Sequence, residues 1–582
     1  MEASVRTHLE KILASKVFVR SERLSRFLRF TVEQALRGRE DQLKEYVIGV
    51  EVFDRNTAYD PRIDPIVRVE ARRLRSKLRD YYQTEGRDDA LRIEFPIGGY
   101  IPDFQTAAAG SEAPNRARSS AAGCAIAVLP FTNLSSDAEN EYFSDGLTEE
   151  LIRAVTKMEG LRVVAASTAM QLKGKPHDVR AIGEQLNVRF VLEGSVRKSG
   201  GRLRITAQLL DAVEGFYLWS ESYDRQMEDV FAIQDEISGA IARTLRLRLV
   251  GEKAGAPGRK RNLEAYNLYL QGRFHFNKRT EAGLRKAIAT FRESLSIEPE
   301  YAAAYAGLAD SYALLSRYGI QRPADVMEAA RKNAQRALEL EPGLADAHVS
   351  MGFVKSSYDW DWKAAERHYV RALELNPNHA SAHQWYGEDF LTPTGNLDEA
   401  LLHVRRATEL DPLTLVTLSS LAGMFVSRRE YASAAVQAQK IIEMDPNFYR
   451  GHMVLGRAYV QMGRLSEGIQ CFQRGKVLSG NAPYITAVLA HAYAVAGRAG
   501  EARELLAELL DLSARRWVPA TSLALVAFGL GELERGFDWL EHALGEREGP
   551  LVNLNVYPTY DPVRLHPRFK GVIGRLGLTP RD

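Results

Sequence analysis

The feature that most constrains this chain is a pattern that recurs through its second half. Apolar segments that end in an acidic or amide residue and a proline stop at five positions, which are Pro299, Pro342, Pro377, Pro412 and Pro446. The separations between them are 43, 35, 35 and 34 residues. A near-constant period of this length indicates stacked supersecondary units, each burying an apolar face on the next. The longer first spacing indicates one insertion, near residues 318–323.

This period is typical of tetratricopeptide repeats, and internal positions of the repeat support the assignment. In the predicted first helices, glycine follows large residues, as in Met351-Gly, Trp385-Tyr-Gly and Leu455-Gly. In the predicted second helices, alanine stands four residues before a large side chain, as at Ala365 and Tyr369. Such small residues let paired helices approach closely. We therefore expect an α-solenoid over residues 262–582, closed by a C-terminal cap, whose concave face binds a protein or peptide ligand.

A second informative stretch runs from Asp64 to Tyr82 and has the pattern of an amphipathic helix. Its apolar residues recur at helical spacing and define one buried face, at Val67, Ala71, Leu74 and Leu78. The cations beside that face are the candidate DNA-binding residues Arg68, Arg72, Arg73, Arg75, Lys77 and Arg79. A helix with one buried face and a ridge of guanidinium groups has the shape and charge to enter a DNA groove. The alternative is a solvated face, which is common for arginine runs on helices.

Helical patterns precede this stretch and an extended pattern follows it. The helices are predicted at 2–15, 21–36 and 42–53. The extended segment from Leu91 to Phe104 turns at Gly98-Gly99. The basic helix and this segment resemble the recognition helix and wing of OmpR/PhoB-type DNA-binding domains. The residues that carry the resemblance are Val67, Val69, Arg72, Arg73, Leu74, Arg75, Lys77, Leu78, Gly98, Gly99 and Tyr100.

The resemblance implies a winged-helix-like domain over residues 1–104 that binds duplex DNA. It places three of the cations nearest the base edges, namely Arg68, Arg72 and Arg75. It places the other three against phosphates, namely Arg73, Lys77 and Arg79. In that family, one of the arginines before Leu74 is often structural and packs against the domain's own carboxylates. The chain departs from the family because it opens with helices, where OmpR/PhoB-type domains open with a small antiparallel sheet.

Residues 124–251 carry the alternating patterns of a small α/β domain. Strands are predicted at 125–131, 161–164, 190–197, 203–211 and 216–223, and helices at 142–158, 179–186 and 230–249. The runs IAVLPF from Ile126 and VLEGSV from Val191 resemble the TolB amino-terminal or FlgO-like domain, in the version fused to tetratricopeptide arrays in bacterial regulators and some adenylate cyclases. The cyclase catalytic domain has no counterpart in this sequence. Composition predicts a flexible linker at 105–123 and a short basic linker at 252–261.

The composition argues against metal and catalytic sites. Cys124 and Cys471 are the only cysteines and lie far apart, which excludes a disulfide framework or a zinc–cysteine site. Histidines of the repeat region lack i, i+4 pairing within one helix and are interpreted as packing or surface residues: His348, His368, His383, His403, His452 and His491. No run of about 18 apolar residues could span a membrane. We expect no catalytic, cofactor or metal site.

The sequence therefore predicts a multidomain α plus α/β chain with a winged-helix-like domain, a small α/β domain and a C-terminal α-solenoid. The leading hypothesis is a cytoplasmic transcriptional regulator, not an enzyme, that binds duplex DNA and a protein or peptide partner. One recognition helix supplies limited affinity, so two copies, as a homodimer, are expected on repeated half-sites. The alternative is a non-enzymatic scaffold or adaptor without DNA binding. An enzyme of the cyclase-linked type is disfavoured by the missing catalytic domain.

Overall fold

The computed structural model describes the chain in ranges separated by gaps, which are 2–19, 21–39, 43–55, 66–86, 89, 91–95, 100–106, 125–135, 141–156, 158, 160–175, 178–199, 201–226, 229–245 and 262–581. The chain divides into two compact units, Met1–Ser120 and Ala121–Asp582. Within the described ranges, no helix is both long enough and apolar enough to cross a membrane.

The N-terminal unit is built from four helices followed by two strands. Its elements are α1 (Glu2–Ala14), α2 (Glu22–Leu36), α3 (Glu45–Phe53), α4 (Ile66–Gln83), β1 (Leu91–Glu94) and β2 (Asp103–Thr106). The strands pair antiparallel, with Ile93 opposite Phe104. The helical opening agrees with the expectation from the sequence, whereas β2 continues to Thr106, beyond the expected end at Phe104 and into the predicted linker 105–123. The rest of that linker lies outside the described residues. The expected cap at Asp64-Pro65 and the expected turn at Gly98-Gly99 lie outside the described residues.

One hydrophobic core joins these elements. Val5 of α1, Phe27 of α2 and Val52 of α3 are each at most 2% exposed. Leu74 of α4 and Ile93 of β1 are fully buried in the same cluster. Because burying a side chain of this size contributes roughly 1.5–3 kcal/mol, the cluster fixes the position of α4 within its unit.

The second unit begins with a mixed sheet. Its strands are β3 (Ala125–Val128), β4 (Thr132–Asn133), β5 (Arg162–Val163), β6 (Phe190–Ser199), β7 (Arg202–Asp211) and β8 (Phe216–Gln226). The strand order is β5-β3-β6-β7-β8, and β4 also pairs with β6. β3 runs parallel to β5 and β6, whereas β6, β7 and β8 form an antiparallel meander. The expected strands are therefore present, and β4 is an addition that the sequence patterns did not predict.

Helices cover both faces of this sheet. They are α5 (Glu141–Val155), α6 (Ala166–Met170), α7 (Val179–Leu186) and α8 (Val230–Leu245). α5 and α8 pack with Val128 and Leu192, and α7 packs with Ala127 and Val191. Adjacent strand residues point to opposite faces, so the apolar runs of β3 and of the first three residues of β6 serve both layers. This arrangement explains why no polar residue interrupts those two runs.

Paired helices occupy the chain from residue 263 onward. They are α9 (Leu263–Asn277), α10 (Glu281–Ile297), α11 (Ala302–Arg317), α12 (Pro323–Leu340), α13 (Ala345–Val354), α14 (Trp362–Leu375), α15 (Ala380–Tyr386), α16 (Thr392–Thr394), α17 (Leu397–Leu410), α18 (Leu415–Ser427), α19 (Tyr431–Met444), α20 (Tyr449–Gln461), α21 (Leu465–Leu478), α22 (Pro483–Val495), α23 (Ala499–Ser513), α24 (Ala520–Gly529), α25 (Leu533–Gly545) and α26 (Pro567–Arg575). The tetratricopeptide-like array expected from the period is present.

The helix pairs close where a glycine of the first helix faces a large side chain of the second. A Cβ atom on Gly352 would lie 3.0 Å from the Tyr369 ring, and one on Gly456 would lie 2.6 Å from the Phe472 ring. Both rings are at most 1% exposed. The glycine positions that the sequence pattern singled out are thus required by the close approach of the helices, which confirms the repeat assignment.

The α/β region and the first repeats share one hydrophobic core. Leu147 on α5 belongs to the same buried cluster as Leu270 on α9 and Phe291 on α10. A Cβ atom on Gly146 of α5 would lie 2.6 Å from Leu270, so the two helices are in direct contact at this point. The array therefore packs against α5 through apolar side chains.

Candidate functional site

The candidate DNA-binding helix α4 is held by its apolar stripe. Four residues at helical spacing are between 0% and 4% exposed, namely Val67, Ala71, Leu74 and Leu78. This burial confirms the face that the spacing predicted. The positions 68, 72, 75 and 79 each follow one member of the stripe, so they lie about 100° further round the helix.

The structure describes the side chains of three of the six candidate cations, and Arg73 is the most exposed of these three. Its guanidinium donates to Glu70 across 2.9 Å, and 66% of the Arg73 side chain is exposed. Glu70 is nearly buried, with 5% of its side chain exposed. The side chains of Arg68, Arg72 and Arg79 lie outside the described residues, so their assignment to DNA stays a prediction.

Lys77 and Arg75 are turned toward their own unit. The Lys77 ammonium donates to the carbonyl of Val17 across 2.5 Å and lies 5.9 Å from the centre of the Phe18 ring. Arg75 is half-buried, and burial lowers the pKa of its guanidinium against an opposing effect of Tyr100. The contacts of Lys77 position α4 against the residues that follow α1. Helical spacing could not separate such structural cations from the others, because it reports no tertiary contact.

A buried polar cluster that the sequence analysis missed joins α4 to α1. The Tyr81 hydroxyl donates to Asp89 across 2.7 Å, and Lys11 pairs with the same carboxylate. His8 on α1 lies 3.0 Å from the Tyr82 hydroxyl and 3.7 Å from Asp89. Adjacent tyrosines at the end of an amphipathic helix are the signal that could have found it, since buried hydroxyls need partners. The cluster fixes the C-terminal turn of α4.

Other cations of the N-terminal unit are matched by acids on neighbouring elements. Arg29 on α2 pairs with Glu10 on α1 at 2.9 Å. Arg26 makes two bonds to Asp54, of 2.8 and 2.6 Å. Exposed pairs of this kind contribute only about 0–1 kcal/mol to stability, but they cancel local charge. The sequence of α4 differs, because it contains six cations and only two acids, Glu70 and Asp80.

The first helices of the repeat array are in contact with α5. Arg273 on α9 donates to Glu149 across 3.1 Å, and the Arg153 guanidinium lies 6.0 Å from the centre of the Tyr269 ring. Burial raises the pKa of the Asp346 carboxyl on α13, but Arg153, His379 and Arg273 together outweigh burial, and the pKa falls well below its usual range. α5 therefore contacts α9 directly, and the charge of Arg153 on α5 acts on Asp346 of α13.

A second polar contact joins the residues around α6 to the residues after α17. Asp411 is 5% exposed and accepts hydrogen bonds from Ser167 and Thr168, each of 2.6 Å. The carbonyl of Leu410 accepts from the backbone N–H of Ala165 at 2.8 Å. The polar groups of each segment thus form hydrogen bonds with groups that are far away in the sequence. No local sequence pattern could have indicated these bonds.

The C-terminal segment contacts the middle repeats. The indole N–H of Trp362 donates to the carbonyl of Leu576 at 2.7 Å. Arg429 donates to the carbonyl of Val556 at 2.7 Å and to Asp561 at 2.8 Å. The segment that the sequence analysis expected as a cap therefore also contacts α14 and the connection after α18.

Two protein families match parts of the chain. Residues 122–239 match the model described as HilA/YgeH-like transcriptional regulator, second domain. Residues 361–413 match the tetratricopeptide repeat, in agreement with the helix pairs. The resemblance to TolB amino-terminal domains falls on the same residues as the first match and remains a prediction. The resemblance of the N-terminal unit to OmpR/PhoB-type winged helices also remains a prediction.

Three known proteins are similar to parts of this chain. "Putative adenylate cyclase 3" of Rhizobium meliloti is 37% identical over 231 residues, which are 39% of this chain and 32% of that protein. The transcriptional regulator HilA of Salmonella typhimurium is 21% identical over 292 residues, 49% of this chain and 51% of that protein. A solved structure of Pseudomonas aeruginosa pilF covers 39% of this chain and 96% of its own, at 18% identity and a TM-score of 0.29. The chain thus spans 32% to 51% of the curated relatives it matches. The family matches and the likeness to HilA support a role in regulation or protein interaction.

Proposed function

We propose that this chain is a non-enzymatic transcriptional regulator that binds duplex DNA through α4 and a protein or peptide through its repeats. The observation that carries the proposal is the geometry of α4, whose apolar stripe is buried while cationic positions follow it round the helix. The match of residues 122–239 to the second domain of HilA/YgeH-like transcriptional regulators supports the same role. In this chain the N-terminal unit precedes that matched region.

The proposed DNA contact is that of a winged helix. α4 enters the major groove, and β1 and β2 form the wing beside it. Arg68, Arg72 and Arg79 contact bases and phosphates, and Arg73 leaves Glu70 to reach a phosphate oxygen. Arg75 and Lys77 keep α4 in position instead. The proposal thus reduces the six candidate residues to four that touch DNA.

Two copies bind adjacent half-sites as a homodimer, since one recognition helix buries limited DNA surface. The protein acts in the cytoplasm, together with the DNA. A partner that uses the first helices of the early repeats has to displace α5, which contacts them through Glu149 and Arg273. No catalytic activity is proposed, because the similarity to the protein named as a cyclase extends over 32% of that protein.

Fluorescence anisotropy of the full-length chain with labelled duplexes selected from a random pool tests the DNA contact. Four phosphate contacts in each bound copy give a slope of log affinity against log salt of about −3.6 per copy. The double variant Arg72→Glu with Arg79→Glu should lose most of the binding, because it exchanges attraction to phosphates for repulsion. The control Arg23→Glu with Arg39→Glu makes the same change in net charge at exposed positions of the unit outside α4.

The outcome of this pair of variants is decisive. Strong loss in the α4 variant and weak loss in the control support recognition through α4. Equal loss in both would show that binding follows net charge alone. Failure of the wild-type chain to bind DNA at low salt would remove DNA from the proposal.

A scaffold or adaptor without DNA binding is the second candidate, and one observation favours it. Arg73 pairs with Glu70 and Lys77 donates to Val17, so part of the cationic ridge is used within the unit. On this alternative, α4 is a solvated face and the repeats collect protein partners. Affinity purification of the intact chain and of the α4 variant separates the two. The same defined partner with both proteins, together with no DNA binding, would select the scaffold.

A further inference from the structure

Two histidine pairs with matching geometry occur in successive repeats. His348 on α13 and His368 on α14 approach with their Nδ1 atoms 3.0 Å apart. His383 on α15 and His403 on α17 approach with their Nδ1 atoms 2.9 Å apart. The ring centres are separated by 5.2 and 5.0 Å, and the ring planes meet at 40° and 34°. The pairing joins the first and second helices of a repeat, so a search for i, i+4 pairs within one helix could not detect it.

The backbone fixes the tautomer of the first histidine in each pair. The Nε2 atoms of His348 and His383 lie 3.1 Å from the carbonyls of Pro342 and Pro377. A carbonyl only accepts hydrogen bonds, so Nε2 carries the proton and Nδ1 of the neutral ring carries a lone pair. A backbone carbonyl on the remote ring nitrogen is the usual outer partner of a metal-binding histidine. Each of these rings is therefore oriented with its free lone pair toward the second histidine.

The arrangement is encoded in the repeat. Histidine follows the proline by six residues and the second histidine follows after twenty more, in two consecutive repeats. In a later repeat, His452 keeps the contact to Pro446 at 2.9 Å, but position 472 is phenylalanine. This later repeat provides a natural reference in which one histidine has the same anchor and lacks the pair.

The nitrogen separation agrees with two neighbouring positions around a metal ion. The nitrogen separation without metal is that of an N–H···N hydrogen bond, and it is also close to the roughly 2.9 Å between two donor nitrogens whose bonds of about 2.0–2.1 Å to one ion meet at a right angle. Right angles are preferred by Cu²⁺ and Ni²⁺ in tetragonal or square-planar sites. We infer that each histidine pair is a two-imidazole site for a Cu²⁺ or Ni²⁺ ion.

Binding requires one rearrangement, in which atoms and charge balance. Without metal, the Nδ1–H of His368 or His403 donates to the bare Nδ1 of its partner. On binding, that proton leaves Nδ1 and the Nε2 atom of the same ring gains one, so the ring stays neutral. Both Nδ1 lone pairs then face the ion, and no net proton is released at a pH where both rings are neutral.

The surroundings keep the rings neutral. Burial, reinforced by His348, lowers the pKa of His368 to about 4, and burial lowers the pKa of His383 to about 4. Burial also lowers the pKa of His348 and of His403. The titratable groups that face the first pair are Arg371, Lys355, Arg367 and Asp361, and those that face the second pair are Arg406, His379 and Glu399.

Solvent reaches part of each ring. All four rings are half-buried, and His368 also lines a surface cavity of about 370 Å³ together with Met351 and Lys355. Lys355 is paired with Asp359 at 2.8 Å, which offsets its charge near the site. Among the residues that the structure describes, no cluster of three or more His, Cys, Asp or Glu side chains is suited to a metal. Water or a group from a partner completes the coordination.

Isothermal titration of the full-length chain with CuCl₂, NiCl₂ and ZnCl₂ tests this assignment. The wild-type chain should bind two Cu²⁺ ions more tightly than the double variant His368→Phe with His403→Phe can bind any. Each single variant should retain one such ion. The replacement by phenylalanine reproduces the natural arrangement at position 472, and circular dichroism checks that the fold is kept. Nitrogen hyperfine structure in the electron paramagnetic resonance spectrum should report two imidazoles per Cu²⁺.

The control His452→Phe removes a histidine with the same proline contact but no partner, and it should leave both ions bound. We expect the affinity to fall in the order Cu²⁺, Ni²⁺, Zn²⁺, because of the right-angle geometry. Equal Cu²⁺ binding by the wild-type chain and the folded double variant would overturn the assignment. Loss of the same ion in the His452→Phe control would overturn it as well.

Discussion

Arg273 on α9 donates through Nε to a carboxylate oxygen of Glu149 on α5 across 3.1 Å. The two side chains are 18% and 7% exposed, so the pair is largely shielded from solvent. Asn277, one turn further along α9, donates to the other carboxylate oxygen. Both oxygens are therefore satisfied inside the contact between the α/β region and the first repeat, and the two regions meet through an ordered polar pair within a shared apolar core.

Removing the Glu149 carboxylate alone should lower the free energy of unfolding more than removing both Glu149 and Arg273. Glu149→Ala leaves Arg273 as a buried cation without its partner, and we expect the free energy of unfolding to fall by about 3–5 kcal/mol. Adding Arg273→Met should restore much of that loss, because the uncompensated charge is gone. Urea unfolding followed by circular dichroism measures both. Asp511→Ala is the control, since its pair with Arg515 is 67% and 73% exposed. Equal losses in the single and double variants would contradict a buried charge pair.

Substitution of Gly146 by alanine should destabilise the protein, whereas the same substitution at a glycine with open space around it should stabilise it. A Cβ atom at position 146 would lie 2.6 Å from both Cδ atoms of Leu270 and 2.8 Å from its Cβ atom. We expect Gly146→Ala to lower the free energy of unfolding by about 1–3 kcal/mol through overpacking. Gly423→Ala on α18 meets nothing within 4 Å. It should raise stability by about 0.5–1 kcal/mol, because alanine favours the helix. Stabilisation by both substitutions in thermal unfolding would refute the close contact.

Acidification should destabilise the repeat array in a defined window. Burial lowers the pKa of His491 to about 4, whereas a histidine in an unfolded chain titrates near 6.5. The unfolded state therefore binds more protons between these values, and the free energy of unfolding falls as the pH drops from about 6.5 toward 4. The variant His491→Gln should show a weaker pH dependence of the unfolding temperature. The same slope in variant and wild type between pH 7 and 5 would exclude His491 as a contributor.

The Asp89 carboxylate should hold α1 against the end of α4. Burial raises the pKa of Asp89, but hydrogen bonds from Lys11 and Tyr81 outweigh burial and bring the pKa below its usual value. Its contribution is thus present at neutral pH and is lost as the pH falls below about 4. Asp89→Asn keeps the size and removes the charge, and should cost about 1–3 kcal/mol. Hydrogen exchange of α1 amides at neutral pH measures the effect. Unaltered protection of α1 would show that the apolar core alone holds this helix.

Much of the secondary structure could be predicted because its signals are local. The apolar stripe from Val67 to Leu78 fixed the buried face of α4 through helical spacing alone. The proline period placed the helix pairs, and the glycines at 352 and 456 marked where they approach. The short strand β4 was not predicted, since it depends on a pairing with β6 that its own residues do not specify.

Much less of the candidate site could be predicted. Six cations along α4 look equivalent in sequence, yet Lys77 bonds to Val17 and Arg75 is half-buried, whereas Arg73 is mostly exposed. The histidine pairs were invisible for a similar reason, because each joins two helices across twenty residues.

The sequence by itself determined where most helices and strands form and that the second half repeats, because spacing, capping and small residues act over one or two turns. Tertiary structure alone decided that α5 packs against the first repeat, that Lys77 bonds within its own unit, and that histidines of neighbouring helices meet. Those outcomes depend on contacts between groups that are far apart in the sequence and that exclude water from each other. Such contacts contribute free energy only when the helices and strands have packed together, so no local segment encodes them.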